Sequence, residues 1–159
     1  EYQMAGDWTG VLFAVQAIGS ILWAMVIPRF RNVKIAYSLS LILGGVGFIS
    51  TYFIHDQYLL AVSFLLIGCA WAAMLAMPFA LLTNSLSGKA MGTYLGLFNC
   101  TICLPQIVAS LVGGLILGVV GGEVVDGVQT GQIAMLVVAG VALLLGAVAV
   151  FGISTKREA

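Results

Sequence analysis

Long apolar runs separated by short polar breaks set the pattern of the chain. Residues 9–27, 35–54, 58–82, 91–120 and 131–153 contain no Asp, Glu, Lys, Arg or His. At about 1.5 Å of rise per residue, a helix needs about 20 such residues to cross the roughly 30 Å hydrocarbon core of a bilayer. Each run is long enough. A barrel strand needs only about 9–11 residues of alternating character, and these runs are longer and do not alternate. Backbone polar groups in lipid must be satisfied within the segment, which leaves helices. The pattern predicts an all-α, polytopic membrane fold with five transmembrane helices.

Composition strengthens that reading. Of 159 residues, 62% are hydrophobic and 8% charged, whereas a soluble domain carries about 25% charge. The mean hydropathy is +1.14, and a chain this short encloses too little interior to hide so much apolar side chain from water. A soluble enzyme, a nucleic-acid binder and a disordered linker are excluded. Six basic and six acidic residues cancel, so no net charge points to a polyanionic partner. The spans hold no titratable acid, base or histidine, which leaves no general acid, base or activated nucleophile for a membrane enzyme. A proton relay is equally absent from them, so any coupling group lies outside this chain. Cys100 and Cys103 form a C-x-x-C, but with no second pair or nearby histidine they read, like Cys69, as small packing residues. No metal and no cofactor is expected.

The charged breaks have a direction. Arg29, Arg31 and Lys34 fall in the first connection, Lys89 in the third, and Lys156 and Arg157 after the last span. Counting sides alternately, all of these fall on one side. Glu1, Asp7, His55, Asp56, Glu123 and Asp126 fall on the other. The positive-inside rule then puts the N-terminus outside and the C-terminus in the cytoplasm, in a cell (plasma or inner) membrane. An odd number of spans starting outside, with neither an initiating Met nor a signal peptide, is expected to follow further helices of the same polypeptide. The longest connection, Gly121 to Thr130, reads as a short polar turn.

Candidate chemistry lies on the helix faces. In the fourth span Gly92, Gly96, Asn99, Cys103, Gln106, Ser110 and Gly113 recur every three or four residues, forming one stripe. Two carboxamides at bilayer depth need partners or a wet cavity. Pro105 frees the carbonyl of Thr101 beside Gln106, and a kink is expected there. The stripe fits a tight helix interface or a wall facing a solute, and spacing alone does not choose. In the third span Gly68, Ala72, Ala76 and Ala80 form a small-residue ridge, with Trp71, Met74 and Pro78 on a neighbouring face. Trp71 is too deep for the interfacial aromatic belt; it is either a filler of the bundle or a plate for a sugar ring. Pro78 is expected to break its helix and free the carbonyl of Met74. In the first span Thr9, Phe13, Gln16, Ser20 and Trp23 share a face, able to bond a polar solute or a neighbouring helix. The glycine-rich second span (Gly44, Gly45, Gly47) reads as a packing element, and the fifth as largely facing lipid.

Three linked motifs then resemble a known family. The run from Gly68-Cys69-Ala70-Trp71-Ala72 to Met77-Pro78-Phe79-Ala80, the run Met91-Gly92-Thr93-Tyr94-Leu95-Gly96-Leu97-Phe98-Asn99, and Leu104-Pro105-Gln106 resemble the sugar–proton symporters of the major facilitator superfamily. The resemblance is to the maltose- and sucrose-type carriers, bacterial relatives of the plant sucrose transporters. Trp8-Thr9-Gly10 and Pro28 before a basic loop resemble that family's eighth helix. The resemblance implies that this chain is the C-terminal part, helices eight to twelve of twelve, ending in the cytoplasm as the charges require. It further implies that helices eight, ten and eleven line a central cavity, while nine and twelve lie peripherally. The chain departs from the family at Gln16-Ala17, where Tyr-Asn is common, at Cys100-Thr101, and near Leu86-Ser87, where a Pro is common.

The expectation is therefore part of a secondary active transporter that moves a sugar or glycoside by alternating access, with proton coupling. Its partners are the solute, protons, the lipid bilayer and the missing N-terminal helices, with no nucleic acid. Gln16, Ser20, Trp71, Asn99 and Gln106 are the candidate cavity residues; Pro78, Pro105, Gly92 and Gly96 shape and pack the helices. The alternatives are a carrier of the same fold for a different small solute, or a truncated membrane protein that does not transport.

Overall fold

The computed structural model describes residues 2–85, 91–120, 122–125, 128–129 and 131–152. Five long helices account for most of them: α1 (Tyr2–Val26), α2 (Val33–Phe53), α3 (Gln57–Ser85), α4 (Met91–Val120) and α5 (Gln132–Gly152). Each is long and apolar enough to cross a membrane. Glu1, the Leu86-Ser87 departure, Lys89, Asp126, Ile153, Lys156 and Arg157 lie outside the described residues.

Local chemistry fixes the helix ends. Pro28 has no N–H to continue α1, and the chain passes through a 3-10 turn at Ile27–Arg29. Arg29 donates from Nη1 to the Met25 carbonyl at 2.9 Å, satisfying one of the last acceptors of α1. Asn32 starts α2 by accepting from the Lys34 amide at 3.0 Å. At the start of α3, Asp56 Oδ1 accepts from the amides of Tyr58 (2.8 Å) and Leu59 (3.0 Å). The helices reach past the apolar runs: α1 begins at Tyr2 rather than residue 9, α2 at Val33 rather than residue 35, and α3 runs over Gln57–Ser85 rather than residues 58–82.

The chain divides into two compact units, residues 1–77 with 136–159, and residues 78–135. In the first, α2 is the hub, and its glycines set the spacing. A methyl on Gly44 would collide with the side chain of Ala70 on α3, one on Gly47 would lie 2.8 Å from the Ser63 carbonyl, and one on Gly45 would lie 2.9 Å from the Gly140 carbonyl on α5. Such close approach is how helices gain packing energy where lipid removes the hydrophobic drive. Hydroxyls reinforce it. Ser38 donates to the Ala147 carbonyl at 3.0 Å, Ser50 and Ser63 meet at 2.8 Å, and Trp23 Nε1 donates to Ser40 Oγ at 2.7 Å. Ala36, Ala73 and Met77 form one buried cluster; Leu41, Ala147 and Val150 form another.

The face that α3 buries takes only part of the ridge expected of it, with Gly68 buried and Ala72 half-buried. Ser63, Ile67, Ala70, Ala73 and Met77 are buried, whereas Ala76 and Ala80 are exposed. Small size permits close packing at all these positions, and the position of α2 selects which are used. Likewise α5 is not simply a lipid-facing rod, since Gly140, Ala147 and Val150 are buried.

The second unit holds the end of α3 from Pro78, α4, and the start of α5. The helical pattern continues through both Pro78 and Pro105, so the break expected at Pro78 does not occur. One missing N–H is tolerated in a long helix when the remaining bonds persist. Phe79 and Phe98 pack at a ring separation of 6.4 Å. The connection before α5, expected to be a polar turn, contains a two-strand antiparallel ribbon, β1 (Val124–Val125) paired with β2 (Val128–Gln129). Its valines carry strand propensity, and the Asp-Gly dipeptide between the strands is a strong hairpin signal that the polar-turn reading passed over.

Candidate functional site

Helices α1 and α3 run side by side, joined by aromatic and small-residue contacts. Trp8 meets Tyr58 edge-on at 5.5 Å, and Phe13 meets Phe64 edge-on at 5.9 Å. Further along, Gly68 lets the α1 backbone approach so closely that a methyl there would collide with the Gln16 carbonyl. Ser20 uses this approach, donating to the Gly68 carbonyl at 2.9 Å and to the Gln16 carbonyl at 3.1 Å.

Beside this seam lies a cavity of about 450 Å³ lined by Phe13, Gln16, Ala17, Ser20, Phe48, Thr51, Phe64, Ile67, Trp71 and Leu136. All ten belong to the first unit. It reaches from the end of the bundle where α2 finishes and α5 begins down to Trp71, about 20 Å along α3 from its start. Four aromatic rings and aliphatic groups make up most of the wall. Its two hydroxyls are engaged internally, Ser20 as above and Thr51 by donating to the Phe48 carbonyl at 2.6 Å. The Gln16 carboxamide and the Trp71 indole N–H remain, and neither has a hydrogen-bond partner among the described residues. Trp71 is 52% exposed. No ionisable carboxylate, amine, guanidinium or imidazole lines the cavity.

The structure thus brings together Gln16, Ser20 and Trp71, three of the five residues singled out from the sequence. Ser20 is turned to backbone carbonyls, and Trp23, from the same sequence stripe, is turned to Ser40 on α2. Asn99 and Gln106 sit on α4 in the second unit, both exposed. The hydroxyls nearest them close local loops: Thr101 donates to the Phe98 carbonyl at 2.7 Å and Ser110 to the Gln106 carbonyl at 2.8 Å. Gly92, Gly96 and Gly113 have no heavy atom within 4 Å of an added Cβ. The stripe is therefore intact as one face of α4, with Asn99, Cys103, Gln106 and Ser110 exposed along it.

Sequence reasoning missed Phe48, Thr51, Phe64, Ile67 and Leu136. Phe64, Ile67 and Trp71 stand three and four residues apart, a helical face that could have been read. The contributions from α2 and α5 could not, because both helices were expected to lie away from any cavity. Among the described residues no cluster of three or more His, Cys, Asp or Glu is placed to hold a metal ion. Cys69 is buried, and Cys100 and Cys103 are exposed; all three are free thiols.

Compared with known proteins, the chain matches the family model of the Major Facilitator Superfamily over residues 2–159. No curated protein and no solved structure matches it.

Proposed function

The chain belongs to the major facilitator superfamily, and from that premise we propose that it forms helices eight to twelve of a carrier moving a neutral sugar or glycoside. Family membership makes it a multi-pass membrane protein of a transporter family, working on a small-molecule solute within a bilayer. The observation that carries the finer reading is the cavity beside α1 and α3. Its free hydrogen-bonding groups are a carboxamide and an indole N–H, and its wall holds no ionisable side chain. A charged solute leaving water would need an opposing charge there; a neutral hydroxylated one needs neutral donors and acceptors.

On this reading Gln16 bonds solute hydroxyls and Trp71 offers a ring face together with its N–H. Asn99 and Gln106 are separate candidate solute contacts on α4, and Gly92 and Gly96 allow close helix approach during rearrangement. The welded α1–α2–α3–α5 packing acts as one rigid element of an alternating-access cycle. Proton coupling on this reading uses a group on the carrier's other helices, since residues 9–27, 35–54, 58–82, 91–120 and 131–153 contain no Asp, Glu or His. The basic connection at Arg29, Arg31 and Lys34 faces the cytoplasm.

Uptake of labelled sugars and glycosides by proteoliposomes containing the full-length transporter tests this. Accumulation driven by an inward proton gradient is expected. Uptake of other solutes but of no sugar or glycoside would overturn the substrate assignment, and gradient-independent sugar uptake would overturn the coupling.

A further inference from the structure

The face of α1 turned away from the cavity has an order of its own. Ile18, Leu22 and Met25 stand four and three residues apart, Arg29 follows four further on, and all four are exposed. Gln16, Ser20 and Trp23 occupy the other side of the helix, where Ser20 bonds α3 and Trp23 bonds α2. From Ile18 to Arg29 the stripe rises about 16 Å, close to the depth of one leaflet of a roughly 30 Å hydrocarbon core. Its charged end is held in place: Arg29 donates from Nη1 to the Met25 carbonyl at 2.9 Å, which leaves its other guanidinium N–H groups to point outward or to a ligand. Arg31, exposed two residues on, has no hydrogen-bond or ion-pair partner among the described residues. Asp7, the acid on the same helix, is about 33 Å away along it. Asp56 and Glu123 fall in other connections.

We infer that this stripe and the two arginines at its end form a site for an anionic phospholipid. An acyl chain lies along Ile18, Leu22 and Met25, and the phosphate meets the guanidinium groups of Arg29 and Arg31. The apolar stripe alone would accept any acyl chain, and the guanidinium groups alone any anion; their leaflet-length spacing joins both in one ligand. Lys34, half-buried in the first turn of α2, adds to the positive potential around the headgroup. A zwitterionic headgroup brings a cation of its own to two guanidinium groups, so the site selects lipids of net negative charge. The cytoplasmic placement proposed for this connection sets only the leaflet. A reversal of sidedness, read separately by labelling at Asn32, moves the site to the other leaflet without removing it.

The test uses the full-length transporter in phosphatidylcholine vesicles, with a bimane fluorophore on Ile21→Cys in a background whose other cysteines are alanine. Ile21 is exposed beside the stripe, so the fluorophore reports on a neighbouring chain without occupying its place. Phosphatidylglycerol carrying a nitroxide on its acyl chain is expected to reach half-maximal quenching at about tenfold lower mole fraction than nitroxide-labelled phosphatidylcholine, equivalent to about 1.4 kcal/mol. In the double variant Arg29→Gln, Arg31→Gln that ratio is expected to fall close to one. The ratio is internal to each variant, so reduced expression does not alter it. Equal quenching by both lipids in the parent overturns the headgroup selection. Quenching by neither means that another helix or a protein partner covers the stripe, and overturns the site. A phosphatidylglycerol advantage that survives both substitutions overturns the assignment to the two arginines. An advantage abolished by millimolar glycerol phosphate marks a site for a soluble anion and overturns the lipid as its ligand.

Discussion

Replacing Gly68 with Ala probes the contact that holds α1 and α3 together beside the cavity. An added methyl collides with the Gln16 carbonyl oxygen and stands 2.9 Å from the Ser20 nitrogen. Ordinary non-bonded contact is about 3.5 Å or more, so α1 must withdraw by at least about half an ångström. The atoms in the way are helix backbone, which cannot rotate aside as a side-chain end can. Overpacking of this kind costs about 1–3 kcal/mol. Withdrawal also stretches the 2.9 Å bond from Ser20 Oγ to the Gly68 carbonyl, and interhelical bonds in membranes average about 0.6 kcal/mol. Ala gains back about 0.5–1 kcal/mol over Gly through its better helix propensity. The net expectation is a loss of about 1–3 kcal/mol, about fivefold to more than a hundredfold in the folded-to-unfolded ratio. Equilibrium unfolding of the full-length protein in mixed detergent and dodecyl sulfate micelles, followed by circular dichroism, measures it. Gly10→Ala is the control, because nothing lies within 4 Å of an added methyl there; it should be neutral or slightly stabilising. A Gly68→Ala protein as stable as its parent would refute the close-contact reasoning.

Other substitutions test separate parts of the picture. Ser40→Ala removes the acceptor of the 2.7 Å bond from Trp23 and should cost about 1–3 kcal/mol in the same unfolding assay, since the indole N–H loses its partner. Trp71→Ala and Gln106→Ala should each lower sugar or glycoside uptake by about tenfold, a loss typical of a ring contact or polar anchor. Their membrane abundance should hold on immunoblots, and normal uptake kinetics in both would remove the assignments. If the α4 stripe borders water, Cys103, which lies on it, should react with hydrophilic thiol reagents faster than Cys100, which lies off it; equal rates would count against that face. Cysteines introduced at Asn32 and at Glu123 should label from opposite sides of the membrane with an impermeant reagent, and labelling from one side would overturn the topology.

The hydrophobic pattern by itself determined the class of fold and the helices. Twenty-odd consecutive apolar residues have one stable conformation in lipid, so spans follow from composition without knowledge of contacts. The charge placement likewise dictated the expected direction of each crossing, and the polar spacing on α1 singled out Gln16 and Ser20. Which face of each helix is used was a tertiary matter. Ser20 and Trp23 share a stripe with Gln16, yet neighbouring helices claim the first two, whereas Phe13 and Gln16 line the cavity. On α3 the candidate ridge of small residues was only partly taken, because every Gly, Ala and Ser permits close approach and only the position of α2 decides among them. The cavity wall from Phe48, Thr51 and Leu136 was invisible for the same reason. A void belongs to no single helix: it arises where several helices fail to fill the space between them, and periodicity along one chain segment carries no information about that space.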